Sequence, residues 1–276
     1  MADGEYRLAG TAFYCSKPPA AGNNPNSVYL ITARHVIDGI RRLGINEVCL
    51  RINFANGTAQ WLSIPINAWF THPTEQNVDI AMAPFPIAEG FDHMMIPATD
   101  FPTADVQKRF GGIGVGDEVI IIGLFRHHHG QTRNIPIIRV GNIAAMDEEP
   151  VVTKDFGPIP AFLIEARSIG GLSGSPVFVN LGTTVLIDGK LQLFKGPVHI
   201  LLGIVHGHYD VSANKVDDAQ ERDLSTAQVN MGIAIVTPHY KITEVLNHPS
   251  FLTVETAISA SLRNSGQLRI IPSGSQ

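Results

Sequence analysis

Ser173 stands in the stretch Gly170-Gly171-Leu172-Ser173-Gly174-Ser175-Pro176-Val177-Phe178, a hydroxyl set among glycines and followed by an apolar run. Glycine admits backbone dihedrals closed to other residues and lets main chain approach a ligand closely. Such a turn can present the hydroxyl and aim the amides of Gly171 and Ser173 at one oxygen, an oxyanion hole. Alone the stretch is weak evidence, because Gly/Ser turns are common in β-proteins. A serine hydroxyl is a poor nucleophile unless a base takes its proton, and the base needs a carboxylate to fix its tautomer and stabilise the imidazolium. His35, Asp79 and Ser173 supply the three types, in the order His, Asp, Ser.

Each of the three falls at the edge of a predicted strand. Val28 to Ala33 is a short apolar run bounded by turn residues, and Val36, Ile37, Ile40 and Leu43 then follow helical spacing, which puts His35 at a strand-to-helix corner. A lone histidine there is more often structural than catalytic. Asp79 heads the apolar run from Val78 to Phe85; buried without partners it would be costly, so it should accept hydrogen bonds, with an Asx turn to its own backbone as the plainer reading. The run 161–168 leads into the serine turn and 176–180 leaves it.

Further strands are predicted over 6–15, 47–53, 59–66, 68–72, 117–124, 198–205 and 231–236, with one or two more inside 135–146. A hairpin over 183–194 carries Asp188-Gly189 at its tip. Tyr240, Ile242, Val245 and Leu246 fit one amphipathic helix. Residues 87–116 hold no periodic element and read as the connection between two halves. The charge-rich segment 210–229 reads as a solvated loop or a lid over the cleft. His127, His128 and His129 are adjacent, point in different directions and read as a polar hairpin tip, so no metal is expected there. Short strands, with helices only at one corner and near the end, predict an all-β barrel or sandwich.

The composition is that of a globular chain, 44% hydrophobic and 16% charged over 276 residues. A net charge of -5 gives no electrostatic footprint for nucleic acid or acidic membranes, and neither is expected as a partner. The start lacks a basic segment followed by an apolar one, and no run reaches the roughly 18 apolar residues of a membrane span. Cys15 and Cys49 are too few for a disulfide framework or a zinc site and read as buried free thiols, which favours a reducing compartment. The expected location is cytoplasmic.

Taken together, these motifs resemble the chymotrypsin-like (trypsin-like) serine proteases, especially bacterial members lacking disulfides. Tyr29-Leu30-Ile31-Thr32-Ala33-Arg34-His35-Val36 is similar to the family's histidine motif, Asp79-Ile80-Ala81 to its aspartate motif and Gly171 to Pro176 to its nucleophile motif. The separations of 44 residues from His35 to Asp79 and 94 from Asp79 to Ser173 are similar too. Gly10-Thr11-Ala12-Phe13 resembles the strand before the histidine hairpin, and Leu202-Gly203-Ile204-Val205 the strand lining the specificity site. The resemblance covers roughly residues 8–246.

It implies two six-stranded antiparallel β-barrels with a short C-terminal helix and the site in the cleft between them. The expected division is 1–100 for the barrel carrying His35 and Asp79, 101–116 for the connection, 117–252 for the barrel carrying Ser173 plus the helix, and 253–276 for a tail. Ser173 would attack the scissile carbonyl, His35 would act as base and then acid, and Asp79 would orient His35. Leu172 occupies the place of an aspartate that in digestive members pairs with a newly cut N-terminus, so either the oxyanion turn is preformed or a protein activator orders it. By resemblance Arg167 lies at the base of the side-chain pocket and His206, Gly207 and His208 form one wall, a set suited to an acidic substrate side chain. The expectation is a serine endopeptidase acting on protein or peptide substrates in limited proteolysis, without a cofactor. The alternative is a non-catalytic, protease-like peptide-binding module.

Overall fold

The computed structural model describes residues 7–18, 27–102, 112–166, 171–212, 228–252 and 269–271. In the first half, β1 (Phe13–Lys17) and β2 (Ser27–Thr32) form an antiparallel pair. α1 (Arg34–Arg42) follows one residue after β2. β3 (Glu47–Asn53) and β4 (Ala59–Pro65) make a second antiparallel pair. β5 (Phe70–Thr71), β6 (Ala81–Pro84) and β7 (Met95–Pro97) complete a five-stranded sheet in the order β5-β6-β2-β1-β7. Along β3, Val48, Leu50 and Ile52 are buried while the residues between them are not, the period-2 alternation of a strand with one buried face. That face meets Leu30, Ala81 and Ala83 of the other sheet in one core.

The second half closes on itself. β8 (Glu118–Gly123), β9 (Ile137–Ala145), β12 (Phe162–Glu165), β13 (Pro176–Asn180), β16 (His199–Ser212) and β17 (Gln228–Pro238) form a six-stranded barrel in the order β12-β17-β16-β13-β8-β9. Two hairpins are added to it, β10 (Val151–Thr153) with β11 (Gly157–Ile159) and β14 (Thr184–Ile187) with β15 (Lys190–Leu193). Val119, Ile121, Ile143, Ile164, Val177 and Val205 fill the interior.

A third core joins the halves. Ala33, Val78, Ile80 and Met82 from the first half pack in one cluster with Leu201 and Ile204 of β16 and with Ile242, Val245 and Leu246 of α2 (His239–Asn247). Lys241 of α2 is tied to Glu75 at 2.9 Å and to Glu244 at 2.9 Å, and His72 Nε2 lies 3.1 Å from Glu244 Oε2. The segment that leads to Asp79 is thereby fastened to the helix.

The all-β architecture, the closed six-stranded barrel and the terminal helix agree with the expectation. The first half differs in detail, its strands lying in two sheets rather than one closed ring among the described residues. The two sheets are linked where β3 ends: Asp92 N–H donates to the Asn53 carbonyl at 2.9 Å and Ala55 N–H to the Gly90 carbonyl at 2.8 Å, around an antiparallel bridge of Phe54 with Phe91. The outer edge of β4 is taken by β18 (Arg269–Ile271), which pairs Ile270 with Leu62. The sequence reading placed no strand at β7, which runs parallel to β1, nor at β10 and β11. Both cysteines are free, Cys15 buried and Cys49 half-buried; burial pushes the Cys15 thiol up to about 12. No described helix is long and apolar enough to cross a membrane.

Candidate active site

The joining core positions the site, because the residues flanking each polar group are anchored in it. Ala33 precedes His35 by two, Val78 and Ile80 flank Asp79, and Ile204 precedes His206 by two. Asp79 is fully buried, just ahead of β6. Its Oδ1 accepts the backbone N–H of His35 at 2.8 Å, and its Oδ2 accepts Nδ1 of the same histidine at 2.8 Å. The alternative of an Asx turn is thus excluded, since the donors come from 44 residues away.

Asp79 Oδ2 also accepts Nδ1 of His206, at 2.5 Å. An ionised carboxylate only accepts, so both imidazoles carry a proton on Nδ1, and in the neutral ring Nε2 of His35 keeps a lone pair. That is the tautomer a general base requires. Burial resists the charge on Asp79, but the hydrogen bonds from His206 and His35 more than offset it and hold the carboxyl well below the usual range. For His35, burial disfavours the charged ring, yet the Asp79 hydrogen bond and charge, with Asp155 adding to them, leave its pKa raised.

The serine turn packs against the histidine strand through main-chain and small-residue contacts. Thr11 N–H donates to the Ser173 carbonyl at 2.9 Å, and Thr11 Oγ1 donates to the Gly171 carbonyl at 2.9 Å while accepting Leu124 N–H at 2.9 Å. Gly171 has φ +102° and Gly174 φ +82°, both in the left-handed region. A Cβ on Gly174 would lie 2.3 Å from Thr32 Oγ1 and 2.8 Å from Ala33 N, so only glycine lets the turn sit this close to the start of α1. Leu172 is fully buried in the second barrel, and Ser175 N–H donates to its carbonyl at 2.9 Å.

Among the described residues, the amides of Gly171 and Ser173 donate to no carbonyl, and neither Ser173 Oγ nor His35 Nε2 makes a hydrogen bond. His35 and Asp79 are therefore joined directly, while Ser173 is brought to the same strand end without being bonded to His35. His206, expected in the pocket wall, instead turns its Nδ1 onto Asp79, and its ring meets Phe156 edge to face with centroids 5.5 Å apart. Gly207 pairs with Ile235, and His208 is exposed on the same strand. Arg167 lies outside the described residues, as do residues 213–227 of the expected loop or lid 210–229; its ends, 210–212 and 228–229, belong to β16 and β17 rather than to a loop. Phe156, from the β10–β11 turn, was missed by sequence reasoning; Arg34 lies over its ring at 5.7 Å.

His35, Asp79 and His206 have ligand types that suit a divalent cation, and their donor atoms lie within 4.8 Å of one another. Ligands of a tetrahedral zinc, at bonds of about 2.0–2.1 Å, stand about 3.3 Å apart. The 2.8 and 2.5 Å separations here are those of hydrogen bonds. A second group, His72 with Glu75 and Glu244, already holds the Lys241 ammonium between its carboxylates.

No protein-family model matches the chain, and no curated protein matches it. Among solved structures the chain is similar to the MamO protease domain from Magnetospirillum magneticum, at 14% identity over 87% of this chain and 97% of that one, with a TM-score of 0.47. It is similar to Deg5 at 12% identity over 72% and 79%, TM-score 0.41, and to Rv3671c from M. tuberculosis H37Rv at 11% identity over 91% and 88%, TM-score 0.39. These neighbours have trypsin-like serine protease folds. The likeness is a weak one of fold, and the architecture described above rests on the chain's own strand order and hydrogen bonding.

Proposed function

We propose that the chain is a serine endopeptidase working through His35, Asp79 and Ser173. The observation that carries this reading is the buried, ionised Asp79 receiving both the Nδ1 proton and the backbone N–H of His35, which leaves Nε2 as a base beside the serine turn. Ser173 Oγ adds to the scissile carbonyl as His35 Nε2 takes its proton. The amides of Gly171 and Ser173 stabilise the oxyanion, a contribution of about 3 kcal/mol per donor. Collapse of the tetrahedral adduct expels the amine, which leaves with the proton from His35. Water, deprotonated by His35, then attacks the acyl-enzyme and releases the new carboxyl end.

The substrates in this reading are proteins or peptides, with Arg167 and His208 favouring an acidic side chain before the cut. The burial of Leu172 fits a preformed turn. A cytoplasmic setting for limited proteolysis fits the two free cysteines. Digestion of a proteome-derived peptide library, with new termini read by mass spectrometry, tests the reading. New termini clustered after Glu and Asp with the wild type, and none with Ser173→Ala, are expected; no new termini with the wild type would sink it.

One observation favours a second reading. Ser173 Oγ has no hydrogen bond to His35 in the described structure, as a peptide-binding module without catalysis would allow. Catalytic hydrogen bonds are often long in the absence of substrate, so chemistry rather than geometry separates the two.

A further inference from the structure

The same carboxylate oxygen serves two imidazoles. Asp79 Oδ2 is 2.8 Å from His35 Nδ1 and 2.5 Å from His206 Nδ1, and the rings meet edge to face at 5.5 Å and 71°. We infer that His206 is a positioning residue that shares Asp79 with His35 and thereby sets the strength of His35 as a base. The inference rests on the proposed triad for its catalytic meaning, but not for its measurement.

The argument is one of competition. His206 sits on β16, a barrel strand whose neighbouring residues Ile204 and Val205 are fully buried, so the backbone that carries its ring to Asp79 is anchored in the core. Its side chain is 11% exposed against 27% for His35, making it the more enclosed of the two. An N–H donated to Oδ2 draws electron density from the very oxygen that receives the His35 proton, and so weakens the grip of the carboxylate on a His35 imidazolium. Without His206, Oδ2 would keep His35 as its one donor among the described residues, the imidazolium would be held more tightly, and His35 would titrate at higher pH. Among the described residues, the other charged groups facing the pair are Asp155 from the β10–β11 turn, with Arg42 and Arg34 from α1, and none of them is hydrogen-bonded to Oδ2.

Titration of the His35 ring by NMR in the wild type, His206→Ala and His206→Asn tests this without any need for activity. Alanine removes the donor; asparagine places a carboxamide N–H where Nδ1 stood. The expected result is an upward shift of the His35 midpoint by about half a unit or more in His206→Ala, largely reversed in His206→Asn. The acid limb of fluorophosphonate labelling should move with it. A His35 midpoint unchanged in a folded His206→Ala, or a shift that asparagine leaves in place, would overturn the inference. Wild type that titrates as expected but takes no label would instead remove the protease reading and leave the shared carboxylate standing. Should His206→Asn and His206→Ala abolish labelling as completely as His35→Ala, His206 would be a base in its own right and the positioning role would be wrong.

Discussion

Thr11 Oγ1 donates to the Gly171 carbonyl at 2.9 Å, from the first half of the chain to the turn that presents Ser173. The same hydroxyl accepts Leu124 N–H, so one buried side chain satisfies two main-chain groups of the second half. Thr11→Val keeps the shape and deletes both bonds. It should lower stability by about 1–3 kcal/mol, read by urea denaturation, and slow covalent labelling of Ser173 because the Gly171 peptide is no longer held.

Gly174→Ala should be worse. A methyl there meets Thr32 Oγ1 and the Thr11 carbonyl at 2.3 and 2.4 Å, at a φ that alanine rarely adopts. The expected loss is about 2–3 kcal/mol, with Ser173 displaced from the histidine strand and labelling reduced more than stability alone accounts for. Alanine labelled at the wild-type rate would show that the close approach does not matter.

Asp79→Asn tests the electrostatics. Its carboxyl is held below the ordinary range near 4, so its charge contributes stability above that pH and loses it as the pH falls. His35 works in the opposite sense: its pKa is raised, so its contribution is full below about 6.5 and lost as the pH rises through the folded value. Asparagine should flatten both arms of the stability-pH curve measured by denaturation at stepped pH. It should also cut the turnover by a factor on the order of 10³–10⁴, because Nδ1–H of His35 loses its acceptor.

The raised pKa of His35 has a kinetic counterpart. Its Nε2 is occupied by a proton below the folded-state midpoint, so labelling of Ser173 should decline as the pH falls through a value above about 6.5. A rate that holds constant down to pH 5 would mean that His35 is not the base.

Much of the candidate site was legible because its signals are local. The run Val28 to Ala33 announced the strand that delivers His35, and β13 spans the predicted 176–180. Asp188-Gly189 marked a hairpin tip whose Asp188 takes φ +50°. What could not be read is set by distant partners. β7 has three residues and finds its place only by pairing Cys15 with Ile96, and β18 only by lying beside Leu62. His206 shared its short motif with His208, and nothing in sequence distinguishes a ring turned to Asp79 from one turned to a substrate. Only the β16 register, with its irregularity between Val205 and Gly207, decides that.

The most direct test of the central claim is covalent labelling with a fluorophosphonate probe at neutral pH, read by intact mass, on the wild type, Ser173→Ala and His35→Ala. The account predicts one adduct on the wild type, carried by Ser173, none on Ser173→Ala and a labelling rate lowered by several orders of magnitude on His35→Ala. A folded wild type that takes no label, or an adduct that persists in Ser173→Ala, would contradict it.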